Sequence, residues 1–258
     1  MGKTHKPAAA AAELAASFGF EKVEPGAKAG RVRRVFDSVA GRYDLMNDLM
    51  SMGVHRLWKE AVLDWLAPRP GIRLLDLAGG TGDMAERTLG RGDGEGRAVL
   101  ADINASMLGQ GRDRALERGW FDRLAFVCAD AMALPFEDGR FDAVIIAFGI
   151  RNVTHVEKAL AEGFRVLRPG GRFMCLEFSK VVLPVLDRVY DSYSFNVLPA
   201  LGRVVAGDAA SYRYLAQSIR RFPDQATFAA LMRDAGLEQV RWRNLSGGIA
   251  AIHSGWRL

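Results

Sequence analysis

Short apolar, β-prone runs alternate with helical patterns through the middle of the chain. The runs are RLLDLA (73–78), RAVLADI (97–103), LAFVCAD (124–130), FDAVIIAF (141–148) and GRFMCLEF (171–178). Between them, apolar residues recur every three or four positions from about Asp83, over 106–119 and over 156–167. That alternation predicts an α/β fold with a parallel, doubly wound sheet and right-handed crossovers. Ligands in such sheets bind beyond the carboxyl ends of the strands.

The flanks read differently. Over 31–66, Val35, Val39, Leu45, Leu49, Met50, Leu57, Val62 and Leu66 recur at helical spacing, broken near Gly41 and Gly53, which predicts a helical lid. Residues 1–30 are Ala-rich and interrupted by Pro and Gly, and read as a flexible arm. An aromatic-rich helical stretch over 181–222 interrupts the alternation, and a helix (224–235) and two strands (237–244 and 248–256) complete the domain, taken as 31–258.

Composition narrows the class without naming it. A chain of 258 residues, 49% hydrophobic and 25% charged, fits one large globular domain. Cys128 and Cys175 sit in apolar runs without metal-ligand spacing, so both read as reduced core residues and no metal is expected. The first 20 residues contain Glu13 and no uninterrupted apolar stretch, so no signal peptide is expected. Glu13, Glu21 and Glu24 also oppose a mitochondrial transit peptide, which leaves a cytoplasmic protein. Seven basic residues face three acidic ones in both 1–34 and 210–258, so within a formal charge of +5 both ends are basic and the middle of the chain is net acidic. Basic ends without aromatic interleaving near the glycine loop argue against nucleic acid, and suit simple solubility or an anionic membrane surface.

The candidate chemistry starts at LLDLAGGTGD (74–83). Gly80 and Gly82 leave room at a strand-to-helix turn, but Gly80-Thr81-Gly82 with Ala85 also fits the dinucleotide fingerprint. Charge separates the two readings. Asp76 before the glycines and Asp83 after them would repel a pyrophosphate and attract the ammonium and sulfonium of S-adenosylmethionine. Asp102 ends the second strand, placed for two ribose hydroxyls; Asp130 and Ala131 end the third, placed for an adenine. Each Asp taken alone also fits a helix cap or turn.

The chain resembles the ubiquinone/menaquinone biosynthesis C-methyltransferases. The resemblance rests on FGF (18–20), FDSVAGRYDLMNDLMSMGVHRLWK (36–59), LLDLAGGTGD, ADINASML (101–108), FGIRNV (148–153), RPGG (168–171), LEFSK (176–180), YLAQSIRRFPDQ (214–225) and NLSGGIAAIHSG (244–255). It implies a seven-stranded sheet ending in an antiparallel pair, and cofactor contacts from Thr81, Asp102, Asp130 and Ala131. Ala147 stands where that family often carries Ser. The implied reaction methylates a ring carbon of a polyprenylated quinol, demethylmenaquinol or 2-polyprenyl-6-methoxy-1,4-benzoquinol. Two proton transfers then need a base or a relay. Arg151 and Asn152 follow the fourth strand, where the methyl group would lie, and Arg151 reads as a phenolate stabiliser because guanidinium does not lose its proton. The same pair also fits a cap for the helix near Thr154. Tyr43 and Asp44 read as groups that close over substrate, with Asp44 as a base, and His55 as a group titrating in the useful range. The apolar residues of 181–205, from Val182 and Leu183 to Leu201 and Val204, read as a tail pocket or a peripheral membrane contact with Arg188 and Arg203 near headgroups, or as plain core. A homodimer or a quinone-biosynthesis complex fits the resemblance. Another methyl acceptor, a noncatalytic scaffold and an NAD-dependent reductase are the competing readings.

Overall fold

The computed structural model describes residues 5–39, 43–51, 53–91, 94–182, 190 and 209–258. Helix α1 (His5–Ala15) leads into a small hairpin, β1 (Ser17–Phe18) and β2 (Glu21–Lys22), then α2 (Pro25–Val39), α3 (Tyr43–Ser51) and α4 (His55–Leu66). The alternating part follows as β3 (Arg73–Leu77), α5 (Asp83–Arg91), β4 (Arg97–Asp102), α6 (Ala105–Glu117), β5 (Leu124–Cys128), β6 (Phe141–Ala147), α7 (Val156–Val166) and β7 (Leu167–Phe178). Helices α8 (Ala209–Arg221) and α9 (Gln225–Asp234) precede β8 (Glu238–Leu245) and β9 (Ala250–Arg257).

The seven-stranded sheet has the order β5-β4-β3-β6-β7-β9-β8. Strands β3 to β7 are parallel, and β9 runs antiparallel to both β7 and β8. The predicted fold class is therefore the observed one, including the reversed final pair. Chain order turns back between β3 and β6, which opens a crevice at their carboxyl ends.

Because side chains alternate across a strand, the central runs feed two cores. Leu74, Leu100, Ile145 and Met174 pack with Val62 and Leu63 of α4 and with Met84 and Leu89 of α5. Leu75, Leu77, Val144 and Cys175 face the other way, against Leu160 of α7 and Met232 of α9. Burial on both faces explains why these strands read as nearly continuous apolar runs. Capping fixes where two helices begin: the Asn104 side chain accepts the N–H of Ser106 and Met107, and Asp224 accepts that of Thr227.

Two sequence readings change, and a third falls mostly outside the described residues. The N-terminal segment is not a loose arm: Ala11 and Leu14 of α1 are buried in the second core, where small Ala side chains let the helix approach α7 and α9 closely. Cys175 is buried as expected, but Cys128 is exposed, because β5 is an edge strand. Of the expected tail-pocket residues, Val182 is exposed and Tyr190 is buried; Leu183, Leu186, Val189, Tyr193, Phe195, Val197, Leu198, Leu201, Val204, Arg188 and Arg203 lie outside the described residues.

Candidate active site

A cleft partly open to solvent lies at the carboxyl ends of β3, β4 and β6. Its floor is the turn after β3, where Ala78 and Gly80 line the space. Two close approaches keep it open. A Cβ on Gly79 would stand 2.5 Å from Cγ of Asp76, and one on Gly149 would stand 2.8 Å from Cβ of Ala78. Val32, Arg33 and Phe36 of α2 form one wall, so part of the predicted lid does face the cleft.

Asp102 ties the floor together. Its Oδ2 accepts the Gly80 N–H at 2.9 Å and its Oδ1 accepts the Asn104 N–H at 2.8 Å. Burial pushes its carboxyl above the usual range, and backbone N–H groups of Asn104, Gly80 and Ile103 pull it back. The Asn104 side chain donates to Asp37 of α2 at 2.8 Å, which links lid to floor. Asp130 and Ala131 line the same cleft, and Oδ1 of Asp130 accepts the Met132 N–H at 2.9 Å.

The other predicted cofactor residues sit behind this surface. Asp76 is fully buried beneath the turn, outside the cleft lining, with Oδ2 accepting the Ala85 N–H at 2.9 Å. Burial pushes its carboxyl up to about 7, so its charge at neutral pH is only partial. Asp83 pairs with Lys59 at 2.7 Å and with Arg87 at 2.8 Å, and despite burial these cations push it down to about 2. Its charge is thus already neutralised by side chains, and the electrostatic case for a cationic ligand rests instead on Asp102 and Asp130. Thr81 and Gly82 are buried in the turn, and Ala147 packs on the first core, none of them among the cleft-lining residues.

The predicted acceptor-side residues divide as sharply. Asn152, at the end of the 3₁₀ turn Ile150–Asn152, lines the cleft. Arg151 turns inward and is only 3% exposed. Its Nη1 donates to Oε1 of Glu177 at 2.6 Å and to the Phe148 carbonyl at 2.6 Å. Glu177, 1% exposed, was missed by sequence reasoning although it lies in the LEFSK motif. A lone charge here would be costly, and each partner offsets part of the other's cost, although burial still pushes the Glu177 carboxyl above its usual range. His55 is buried at the start of α4 against Oδ1 of Asp48, 2.9 Å away, and does not line the cleft. Burial, with the nearby Lys59 charge, holds its pKa below the ordinary histidine value, contrary to the role expected of it. Tyr43 and Asp44 begin α3, but their side chains lie outside the described residues.

Lys28 of α2 is a further residue the sequence did not mark. It is 1% exposed, and its Nζ donates to the carbonyls of Leu14 at 2.8 Å and Val153 at 3.0 Å, joining α1, the lid and the turn that carries Asn152. Burial pushes its pKa down from 10.5 to about 8. Above pH 8 the native chain gives up this proton while the unfolded chain keeps it, so stability should climb between pH 8 and 10.5. The stability difference between wild type and Lys28→Met, measured by urea unfolding, should move in favour of wild type by about 2 kcal/mol from pH 7.5 to pH 10. A difference independent of pH would contradict this assignment.

The model of the ubiE/COQ5 methyltransferase family matches residues 25–257. The ubiquinone/menaquinone biosynthesis C-methyltransferase UbiE of Brucella abortus (strain S19) is 58% identical over 244 residues, which covers 94% of this chain and 91% of the relative. The protein of the same name from Brucella anthropi is 57% identical, over 94% of this chain and 93% of the relative. A SAM-dependent methyltransferase from Aquifex aeolicus superposes with a TM-score of 0.58 at 15% identity, covering 78% of this chain and 89% of that one, and so shares the fold. With a family model that spans everything from α2 onward and a relative sharing more than half its residues, the chain belongs to the ubiE/COQ5 methyltransferase family.

Proposed function

We propose that this chain transfers a methyl group from S-adenosylmethionine to a ring carbon of a polyprenylated quinol. The observation that carries the reading is the pairing, in one cleft, of carboxylates at two adjacent strand ends with a carboxamide at a third, in a chain whose relatives are named for quinone biosynthesis. In this reading the cofactor occupies the cleft: Asp102, on the lining and accepting the Gly80 and Asn104 N–H groups, would also accept from the ribose hydroxyls, and Asp130 and Ala131, on the same lining, would read the adenine. Thr81 and Gly82 shape the turn, Asp76 holds the Ala85 N–H beneath it, and Asp83 is taken up by Lys59 and Arg87. When bound, S-adenosylmethionine supplies an electrophilic methyl on a sulfonium.

The chain's own part is to bind, orient and handle protons. Asn152 faces the ring oxygen of the quinol, and Arg151 holds the turn in place through Glu177 and Phe148. The ring hydroxyl loses its proton to water or to Asp44, the ring carbon beside it takes the methyl, and loss of the ring proton restores aromaticity. The chain docks peripherally at the inner face of the membrane, which supplies the prenylated acceptor. No described helix is long and apolar enough to cross a membrane.

The test is incubation with radiolabelled S-adenosylmethionine and either demethylmenaquinol or the methoxybenzoquinol. Label should enter the lipid fraction with at least one reduced acceptor and not with the quinones, whose rings lack the electron density to attack. Tight cofactor binding with no label in either quinol would favour the scaffold reading.

A further inference from the structure

A carboxamide has a donor end and an acceptor end, and whatever holds one end decides which the ligand meets. For Asn152 the neighbours fix the choice. The Phe148 carbonyl, which can only accept, lies 3.5 Å from Nδ2. The phenol of Tyr214, which donates, lies 3.0 Å from Oδ1. Tyr214 sits 62 positions further along the chain, on α8, and is 4% exposed. Its ring stacks on Phe18 of the N-terminal hairpin, with centroids 4.2 Å apart and planes 17° from parallel. Burial pushes the phenol's pKa well above the ordinary tyrosine value, so it keeps its proton over the working pH range and remains a donor. Nδ2 carries two hydrogens, and the long contact to Phe148 uses one.

We infer that Tyr214 is a positioning residue: by holding Oδ1 of Asn152 it turns the remaining N–H of that amide toward the acceptor's ring oxygen, making Asn152 an oxyanion donor. The inference rests on the proposed reading that the quinol occupies the Asn152 side of the cleft. Charge builds on the ring oxygen as its proton leaves, and a donor fixed beforehand lowers the cost of that charge without reorganising during the reaction. It also gives the motifs FGF and YLAQSIRRFPDQ a joint purpose, since Phe18 and Tyr214 bring the N-terminal hairpin and α8 to bear on one amide.

The experiment compares wild type, Tyr214→Phe, Asn152→Ala and the double variant in methyl transfer to a short-chain reduced quinol from pH 6 to pH 9, with S-adenosylmethionine affinity measured alongside. Tyr214→Phe keeps the ring stack and removes the donor. It should lower kcat roughly 10-fold to 100-fold, less than loss of Asn152 itself, with the quinol KM and cofactor affinity changed less than about twofold. The acid limb of the kcat profile should move to higher pH, because an unstabilised phenolate forms less readily. The double variant should be no slower than Asn152→Ala. Wild-type kcat and pH profile in Tyr214→Phe, or losses that multiply in the double variant, would overturn the inference. A slow Asn152→Ala beside a normal Tyr214→Phe sinks this inference alone, whereas a normal Asn152→Ala sinks the acceptor-site reading itself.

Discussion

Asp102→Ala should bind S-adenosylmethionine at least about a hundredfold more weakly than wild type. A carboxylate accepting two ribose hydroxyls makes two charge-assisted hydrogen bonds, each contributing about 1.5–3 kcal/mol, and every 1.4 kcal/mol is tenfold in affinity. The same side chain holds the Gly80 and Asn104 N–H groups, so its removal also loosens the turn that shapes the cleft floor. Asp102→Asn should be nearly as weak: an amide oriented to accept from Asn104 points its NH₂ at the Gly80 N–H, a donor facing a donor. Isothermal titration calorimetry checks both variants. Wild-type affinity in Asp102→Ala would reduce this residue to a tie between two turns and leave the cofactor's ribose without its assigned partner.

The buried pair of Arg151 and Glu177 gives the second large effect. Replacing one partner strands a charge at a site where both groups are almost fully buried, and such losses cost about 3–5 kcal/mol. In a domain of this size that corresponds to a Tm lower by roughly 10 °C. Arg151→Met and Glu177→Leu should each show it in thermal unfolding. The double variant Arg151→Met/Glu177→Leu should regain most of the lost stability, because it leaves no charge unpaired. Methyl transfer should not return with it. Nη1 of Arg151 also holds the Phe148 carbonyl, against which the Asn152 amide rests, and no apolar residue replaces that donor. A stable double variant with wild-type activity would make the pair purely structural.

Much of the fold was legible because period and burial agree. Runs such as LLDL and AVIIA, buried on both faces, leave little choice but a parallel sheet. Asp102 and Asp130 were legible as cleft residues because a strand end is also a cleft wall. The failures at titratable residues share one cause: sequence position does not reveal what a charge is paired with or buried against. Asp83 read as a free anion until Lys59 and Arg87 were seen beside it. Arg151 read as facing substrate until Glu177, 26 residues on, was seen to hold it. His55 read as a titrating group, but helix α4 buries it. The Ala run of α1 read as loose because small side chains give a weak periodic signal, although they are what allows close packing.

The most direct test of the account is where the transferred methyl resides. With a methyl-¹³C S-adenosylmethionine and a short-chain reduced quinol, the carbon spectrum of the product should show label only in an aryl methyl bonded to ring carbon, because the proposed pose sets the ring oxygen against Asn152 and turns the adjacent carbon to the sulfonium. Label in a methoxyl group would mean that the oxygen itself attacks, and would contradict both the orientation of the acceptor and the role given to Asn152.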